Sequence, residues 1–341
     1  APLGEVAQLR TTERIALAQR VILLRGKPGI IDQQFFFQTL KSPFVQARLQ
    51  QRATGTTVLG IKQSELRQVS IPYFPLSTQR KIAAILSAYD DLIENNLRRI
   101  KILEEMAQNL YQEWFVKFRF PGHSHTRFVD SALGQIPEGW EVMKIREVAD
   151  VNARSIRKDA TPSEIVYIDI ASVSSGTIDK MEIMAFADAP GRARRITTHG
   201  DIIWSSVRPN RRSFSLIINP PKNLIVSTGF AVISAKRVPF TYLYQVMTTD
   251  DFVVYLVNHA KGAAYPAVSA DDFENANILV PSKQLLNSFD NKVLSIAILV
   301  HRLKAKNTLL RRTRDLLLPK LISGELDVSA LDITVPAEVD V

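Results

Sequence analysis

Two stretches of this chain carry apolar residues at steps that alternate strictly between four and three. Such spacing, sustained over ten positions, predicts a long helix that buries one narrow seam, as in a coiled coil. The first series is Ile82, Leu86, Tyr89, Ile93, Asn96, Ile100, Leu103, Ala107, Leu110 and Trp114. The second series is Phe289, Val293, Ile296, Val300, Leu303, Asn307, Leu310, Arg314, Leu317 and Leu321.

Each series is preceded by a helix-start signal and followed by a stop signal. Ser77 and Ser282 come shortly after a proline and are candidates to cap the first turn of each helix. Gly122 and Gly324 follow the last members of the two series and end them. The predicted helices therefore cover residues 77–120 and 282–324.

The two seams also fit each other when the helices run antiparallel. If Ile82 lies opposite Leu321, the same register places Asn96 opposite Asn307. A buried amide pair fixes register at some cost in stability, which favours an intramolecular antiparallel coiled coil. Arg314 is the weak position, because a seam arginine is expected to extend its charged group to water. The alternative is that each seam packs on its own domain.

The chain contains an internal repeat, seen when residues from 39 onward are aligned with residues from 246 onward. At one constant offset, Leu49 meets Leu256 and Gly55 meets Gly262. Each copy predicts a helix, a glycine-containing loop, a short polar helical turn and an apolar strand that ends at proline. The first copy lacks a counterpart of residues 136–206, so its unit is incomplete. The sequence leaves open whether this is natural or whether a longer chain precedes it.

Between the two predicted helices the pattern changes to short apolar runs separated by glycine, proline and serine. These runs predict strands, and a helix is predicted from about Phe240 to His259. The fold class is therefore α+β, with mixed, β-rich domains joined by two long helices that form an antiparallel coiled coil. The predicted strands are residues 165–171, 201–207, 214–219 and 230–235.

The charge of the chain is concentrated in one segment. Lys and Arg number 43 against 34 Asp and Glu, a net charge of +9, and residues 192–212 hold six arginines with a single acid, Asp201. Arginine without lysine suits bidentate recognition of phosphates or guanine edges. The alternatives are a solvated basic face and, for the loop at 261–266, an ordinary tight turn. The predicted DNA-binding residues are Arg192, Arg194, Arg195, Arg208, Asn210, Arg211, Arg212, Lys261 and Tyr265.

The sequence contains no complete motif for catalysis, for a metal site or for a cofactor site. The absence of cysteine excludes disulfides, thiolate metal sites and a cysteine nucleophile. The segment Asn219–Lys222 resembles the tetrapeptide with which amino-methyltransferases hold a base, but its fourth residue is not aromatic. His123 and His125 have no third ligand nearby, and no glycine-rich cofactor loop follows a strand. We therefore expect no metal, no cofactor and no enzymatic activity. No signal peptide or membrane span is predicted, which together with the missing cysteines favours the cytoplasm.

Three segments make the chain recognisable. Residues 74–122, the motif IPEGWEV at 136–142 and the motif LLLPKLISGELDV at 316–328 resemble the DNA-specificity subunit of type I restriction–modification systems. The resemblance implies two target-recognition domains, each reading one half of a bipartite DNA site. It also implies two conserved helices that act as a spacer and dock two methyltransferase subunits, with restriction (translocase) subunits joining the complex. Methylation and cleavage would then belong to those partners.

Two alternatives to this assembly are open. A chain with an incomplete first domain could form a homodimer, and a protein of a different functional class, a structural coiled-coil adaptor without DNA readout, is the rival interpretation. The helix seam from Ile82 to Trp114 would span roughly 48 Å at about 1.5 Å per residue.

The resemblance divides the chain into segments. The expected segments are a partial first recognition domain (1–76), a first spacer helix (77–120), a linker (121–138), a second recognition domain (139–281), a second spacer helix (282–324) and a tail (325–341).

Overall fold

The structure is a computed structural model that describes residues 3–9, 11, 13–19, 21–55, 59–157 and 159–335. The chain divides into two compact units. The first unit combines Ala1–Ile100 with Leu303–Val341, and the second unit is Lys101–Arg302. The two long helices contribute residues to both units. Residues 336–341 of the predicted tail lie outside the described residues.

Helices dominate the first unit. Asp32 and Ser42 cap the first two helices by accepting hydrogen bonds from the backbone amides of Phe35 and Val45. The helices of the chain are α1 (Gln33–Lys41), α2 (Pro43–Gln51), α3 (Gln63–Leu66), α4 (Leu76–Tyr111), α5 (Ile145–Val148), α6 (Phe240–Met247), α7 (Asp250–His259), α8 (Ala270–Glu274) and α9 (Lys283–Ser323).

The assigned strands lie in the second unit. A strand is present in each of the four apolar runs for which one is predicted. The strands are β1 (Phe128–Ser131), β2 (Gly134–Pro137), β3 (Glu141–Lys144), β4 (Ala149–Val151), β5 (Glu164–Ile168), β6 (Val173–Ser174), β7 (Thr177–Ile178), β8 (Glu182–Ala185), β9 (Ala193–Ile196), β10 (Ile202–Ser205), β11 (Phe214–Leu216), β12 (Leu224–Ser227), β13 (Phe230–Ala235) and β14 (Asn277–Val280).

Two four-stranded sheets form the centre of the second unit. Their strand orders are β11-β10-β13-β4 and β8-β5-β12-β9, and β5 pairs parallel with β12 while the other pairs in these sheets are antiparallel. Side chains alternate across β10, so Ile203 packs between the sheets while Ile202 and Trp204 pack toward the helices. Since both faces of β10 are buried, its sequence is continuously apolar rather than alternating.

The structure confirms the internal repeat. Helices α1, α2, α3 and α4 start at Gln33, Pro43, Gln63 and Leu76, each at the same offset from the starts of α6, α7, α8 and α9. The glycine-containing loop also repeats, because an isolated antiparallel bridge joins Thr54 to Gly60 in the first copy and Lys261 to Ala267 in the second. The two copies therefore share their helical frame.

Two predicted elements are wrong. The single helix predicted from Phe240 to His259 is split into α6 and α7, because the Thr249 side chain caps a new first turn by accepting from Phe252 N. The apolar strand predicted after the short polar helical turn of the first copy is not formed. Its counterpart β14 pairs with β3 in the second unit, and the part of the first copy that the structure describes contains no strand equivalent to β3.

The long helices contact each other in antiparallel order within each unit. In the first unit Asn96 Nδ2 donates to Asn307 Oδ1 at 2.8 Å, and both side chains are buried. Asn307 Nδ2 also donates to the carbonyl of Ile93 at 3.4 Å. In the second unit the rings of Trp114 and Phe289 lie 6.1 Å apart. These contacts have the register in which the two asparagines oppose each other.

The expectation that Arg314 extends to water is wrong. Its side chain is only 19% exposed, and Nη1 donates to Asp90 Oδ1 at 2.5 Å. Gln38 of α1, which is itself buried, donates to the other oxygen of Asp90 at 2.8 Å. A carboxylate on the neighbouring helix therefore replaces water as the partner of this seam arginine, and it ties α1 to both long helices.

The ends of the long helices differ from the predicted ones. After α4 the chain makes a π turn at Gln112–Val116, and Phe118 then takes a left-handed conformation with φ of 58°, so the helical stretch ends before residue 120. Helix α9 ends at Ser323, where Gly324 has φ of 80°. No helix among the described residues is long and apolar enough to cross a membrane.

Candidate nucleic-acid interface

Four loop segments of the second unit lie side by side along one edge and are joined by backbone hydrogen bonds. Thr228 N donates to Arg192 O at 2.8 Å, and Ser206 N donates to Gly229 O at 2.8 Å. Val268 N in turn donates to Ser206 O at 2.9 Å. We call this surface the basic edge; it comprises residues 192, 206–212, 228–229 and 261–268. It brings together predicted residues that are far apart in the sequence.

The arginine turn of the basic edge has an unusual backbone. Arg208 and Arg212 take left-handed conformations with φ of 51° and 55°, on either side of a 3₁₀ turn at Pro209–Arg211. A non-glycine residue in this region costs roughly 1–2 kcal/mol, and such residues cluster at functional sites. The turn leaves Asn210 and Arg211 exposed, and Arg211 has no salt bridge with a described residue.

Two arginines of the basic edge are paired with carboxylates. Arg212 Nη2 lies 2.5 Å from Asp250 Oδ1, at the start of α7, and both side chains are well exposed. Arg192 Nη2 lies 2.6 Å from Asp169 Oδ2, which also accepts a hydrogen bond from Tyr167. The exposed Arg212–Asp250 pair contributes little stability, so a phosphate group can replace the carboxylate there at small cost.

Arg208 is held differently, by the loop that faces it. Its backbone N donates to Pro266 O at 2.7 Å, and its Nη2 donates to Ala264 O at 3.3 Å. The guanidinium lies 4.6 Å from the ring centroid of Tyr265, which is 68% exposed. The Tyr265 ring and the Ala264 carbonyl therefore fix the direction of this side chain without an acid, while the Pro266 carbonyl holds the backbone of Arg208.

The facing loop is closed by two reciprocal backbone hydrogen bonds. Lys261 N donates to Ala267 O at 2.8 Å, and Ala267 N donates back to Lys261 O at 2.9 Å. Gly262 has φ of 98°, and a Cβ added there would meet Tyr265 O at 3.0 Å. Glycine is therefore required for the loop to present Tyr265 beside Arg208.

The other two predicted arginines lie on β9, where they are placed less favourably for contact with DNA. Arg194 donates to Ala193 O and packs 5.1 Å from the centroid of Phe186. Arg195 is paired with Val226, whose side chain belongs to the core between the sheets. Burial lowers the pKa of the Arg195 guanidinium, and its Nε is buried without a hydrogen-bond partner. Neither side chain makes a described contact with the turn at 206–212.

Sequence reasoning missed the partner of the one acid in the arginine segment. Asp201 is buried; it accepts from Arg154 Nη2 at 2.6 Å and from Thr198 N at 2.7 Å, and Ser234 donates to its other oxygen at 2.7 Å. A buried carboxylate must be paired or hydrogen-bonded. A lone acid within an apolar strand-forming run therefore indicates a basic or hydrogen-bonding partner elsewhere in the chain. Since Arg154 already neutralises Asp201, this acid does not reduce the positive charge of the basic edge.

The segments that were considered for chemistry are plain turns. His123–His125 is a 3₁₀ turn in which His123 Nδ1 contacts Phe120 O at 2.8 Å. Asn219 has φ of 46° at the turn before β12. Among the described residues no group of three histidine, cysteine, aspartate or glutamate side chains could hold a metal ion.

Comparison with known proteins gives relatives of one kind. The chain is 26% identical over 340 residues to the type I restriction enzyme MjaIX specificity subunit of Methanocaldococcus jannaschii, covering 97% of this chain and 77% of the relative. It is 22% identical to the MjaVIII specificity subunit of the same organism, over 93% of this chain and 75% of the relative.

The fold is also found among solved structures. The crystal structure of a type I restriction–modification system S subunit from M. genitalium superposes with a TM-score of 0.55 at 20% identity, covering 87% of this chain and 74% of that one. The family model described as the type I restriction modification DNA specificity domain matches residues 2–105 and 137–304. These matches cover most of the chain, which therefore belongs to the family of type I restriction–modification DNA specificity subunits.

Proposed function

We propose that this chain recognises DNA sequence within a type I restriction–modification complex, and that its second unit reads one half of a bipartite site. Membership of the family supports DNA recognition. The basic edge is the observation that supports where the DNA-binding surface lies. The edge gathers three arginines of one turn, Arg192 and the loop of Lys261 and Tyr265 on one surface. Arginine and lysine contact phosphates, while aromatic and planar groups contact bases.

The basic edge predicts a measurable salt dependence of DNA binding. Each phosphate contact releases counterions, so the logarithm of affinity falls with the logarithm of salt by about 0.9 per contact. In the complex with methyltransferase subunits, we expect the double variant Arg211→Gln/Lys261→Gln to lower this slope by about 2. Binding titrations of duplex DNA across a salt series measure the slope.

The chain offers a control with the same change of charge. Lys222 precedes β12 and Arg237 follows β13, so both lie at the strand ends opposite the basic edge, and both are exposed. Lys222→Gln/Arg237→Gln should leave the slope unchanged. If the two double variants behave alike, the basic edge is not the DNA-binding surface. If the parent complex shows no salt-dependent binding at all, the rival interpretation of a structural adaptor gains support.

We further propose that α4 and α9 form the antiparallel coiled coil of the family and dock methyltransferase subunits on one flank. In the first unit the exposed leucines Leu92, Leu309 and Leu316 each directly precede a seam position. In an antiparallel pair with this register these positions share one flank, and exposed apolar side chains grouped on a helix surface are typical of protein interfaces. Leu97 lies on the opposite flank and is the matched comparison.

Charge placed on the leucine flank should prevent docking. Leu309→Asp and Leu316→Asp, which are 64% and 61% exposed in the parent, are each expected to weaken methyltransferase binding by about 2 kcal/mol or more, as for central interface residues. Pull-down and sedimentation measure the binding. Leu97→Asp should bind like the parent, and equal loss in all three variants would point to unfolding or to a different surface.

Catalysis is assigned to the partners in this proposal. Two methyltransferase subunits would transfer the methyl group, and restriction (translocase) subunits would cleave DNA. The chain alone, supplied with S-adenosylmethionine and DNA, is expected to transfer no methyl group, and transfer should begin when a cognate methyltransferase subunit is added.

A further inference from the structure

The arginines of the basic edge differ in what holds them, and this difference separates their roles. A side chain that reads a base must keep one direction, because the hydrogen-bonding edge of a base is narrow and fixed in the groove. It must also keep its donors free for the base. A side chain that contacts phosphates has a wider target and carries no sequence information directly.

Five of the six arginines fail at least one of these requirements, and four of the five either share their donors with an acid or lie on β9. Arg192 and Arg212 already give Nη2 to Asp169 and Asp250, so their donors are shared with carboxylates. Arg195 is half-buried on β9. Arg194 is held by Ala193 O and the Phe186 ring, but it lies on β9 outside the basic edge. Arg192 and Arg212 can position the domain on the DNA backbone, but their guanidinium edges are already occupied.

Arg211 has open donors but no fixed direction. It lies at the exposed end of the 3₁₀ turn, and no salt bridge joins it to a described residue. A long, free side chain loses much conformational entropy when it is ordered, so it suits a phosphate better than a base edge. Its charge makes it the natural comparison for Arg208, only three residues away.

Arg208 meets both requirements. The Tyr265 ring at 4.6 Å and the Ala264 carbonyl at 3.3 Å hold the guanidinium plane. Among the described residues its side chain has no acidic partner and no other hydrogen-bond acceptor. One Nη2–H is engaged, so the remaining N–H groups of the fork are free. Its strained left-handed backbone is fixed by the bond from Arg208 N to Pro266 O at 2.7 Å.

We infer that Arg208, stacked on Tyr265, is the specificity-determining residue of the second unit and reads the major-groove edge of a guanine. The inference rests on the proposed function. A stacked guanidinium presents two parallel donors, and guanine is the base whose major-groove edge carries two adjacent acceptors, O6 and N7. Lysine cannot reproduce this geometry, because its ammonium group is a point charge without a planar fork.

The test uses the complex with methyltransferase subunits and a duplex library with random positions. The parent should select a consensus that contains a guanine whose replacement weakens binding about tenfold to a hundredfold. Arg208→Lys keeps the charge, and it should select sequences in which that guanine is no longer preferred while the salt slope is unchanged. Replacing the guanine with 7-deazaguanine, which lacks the N7 acceptor, should weaken the parent and leave Arg208→Lys unaffected.

Three further variants separate reading from general stability. Tyr265→Phe keeps the ring and should keep the preference, whereas Tyr265→Ala should reduce preference at the same guanine and at no other position. Arg211→Lys should keep both the consensus and the salt slope. The inference is overturned if Arg208→Lys selects the parental consensus with the parental preference. If the parent itself selects no consensus, the proposed function fails instead.

Discussion

Replacing Asp90 with alanine is expected to lower the free energy of unfolding of the first unit by about 3 kcal/mol. Asp90 is 21% exposed and pairs with Arg314 at 2.5 Å, while Gln38 donates to its other oxygen. Removing Asp90 leaves Arg314 with only the exposed carboxylate of Asp315 and leaves the buried amide of Gln38 without this acceptor. The penalty for groups left unpaired in this way is larger than the net value of the pair itself. Denaturant unfolding and hydrogen exchange of residues 33–41 measure the loss.

Asp315 provides the matched control for this prediction. It is the second carboxylate on Arg314, at 2.8 Å, but its side chain is 62% exposed. An exposed ion pair contributes at most about 1 kcal/mol, so Asp315→Ala should be nearly neutral. If the two alanine variants lose equal stability, burial of the Asp90 pair is not the cause. Faster exchange confined to α1 in Asp90→Ala would show that this carboxylate docks α1 on the long helices.

The same carboxylate predicts a pH dependence. Burial opposes ionisation of Asp90, but the hydrogen bonds from Gln38 and Arg314, together with the charges of Lys41 and Arg314, outweigh it and hold the pKa of Asp90 below its ordinary value. The stabilisation is therefore complete above the unfolded pKa of about 3.9 and is lost as pH falls through the lower folded pKa. The difference in stability between parent and Asp90→Ala should be largest near neutral pH and should shrink on acidification below about pH 4.

A double-mutant cycle on the amide pair is expected to show strong coupling. Asn307→Leu alone leaves the buried amide of Asn96 without its partner, and we expect it to lower stability by about 1–3 kcal/mol. Asn96→Leu should cost a similar amount, because Asn307 keeps only the longer contact to Ile93 O. The double variant Asn96→Leu/Asn307→Leu should be close to the parent, since two apolar residues can pack together without an unpaired group.

The register itself is tested in this cysteine-free chain by placing cysteines at 96 and 307. Rapid disulfide formation within one chain is expected. Cross-linking only between chains would show that the helices pair in a dimer. Additive losses in the cycle would show that the amide bond between Asn96 and Asn307 at 2.8 Å does not contribute as a pair.

The long helices could be predicted because their signal is local and repeated. Each seam follows a single rule over ten positions, and the two asparagines restrict the register. A shift by one heptad would separate the amides, placing Asn96 opposite Val300 or Arg314 and leaving Asn307 opposite Tyr89 or Leu103. The partner of Arg314 could not be found in this way. Asp90 lies outside the seam series, and only the packed helices bring its carboxylate to the arginine.

The missing strand of the first copy depends on contacts made outside its own segment. The stretch that matches β14 has an apolar composition, but a strand needs a neighbour to satisfy its backbone groups. The equivalent β14 is a strand because β3 supplies those hydrogen bonds. The break between α6 and α7 is different: Thr249 is a recognisable cap, and the apolar periodicity on both sides concealed it.

The amino-acid sequence by itself determined the two long helices, the repeat, the β-rich nature of the second unit and the concentration of arginine in one segment. These properties follow from periodicity and composition, which act along the chain. Only the tertiary structure decided which arginines share a surface and which are already paired. Arg208 and Tyr265 are distant in sequence, and their roles depend on an aromatic ring, a carbonyl or a carboxylate arriving from another loop. Direction and free donors are properties of that packing, so no pattern of residues along the chain could specify them.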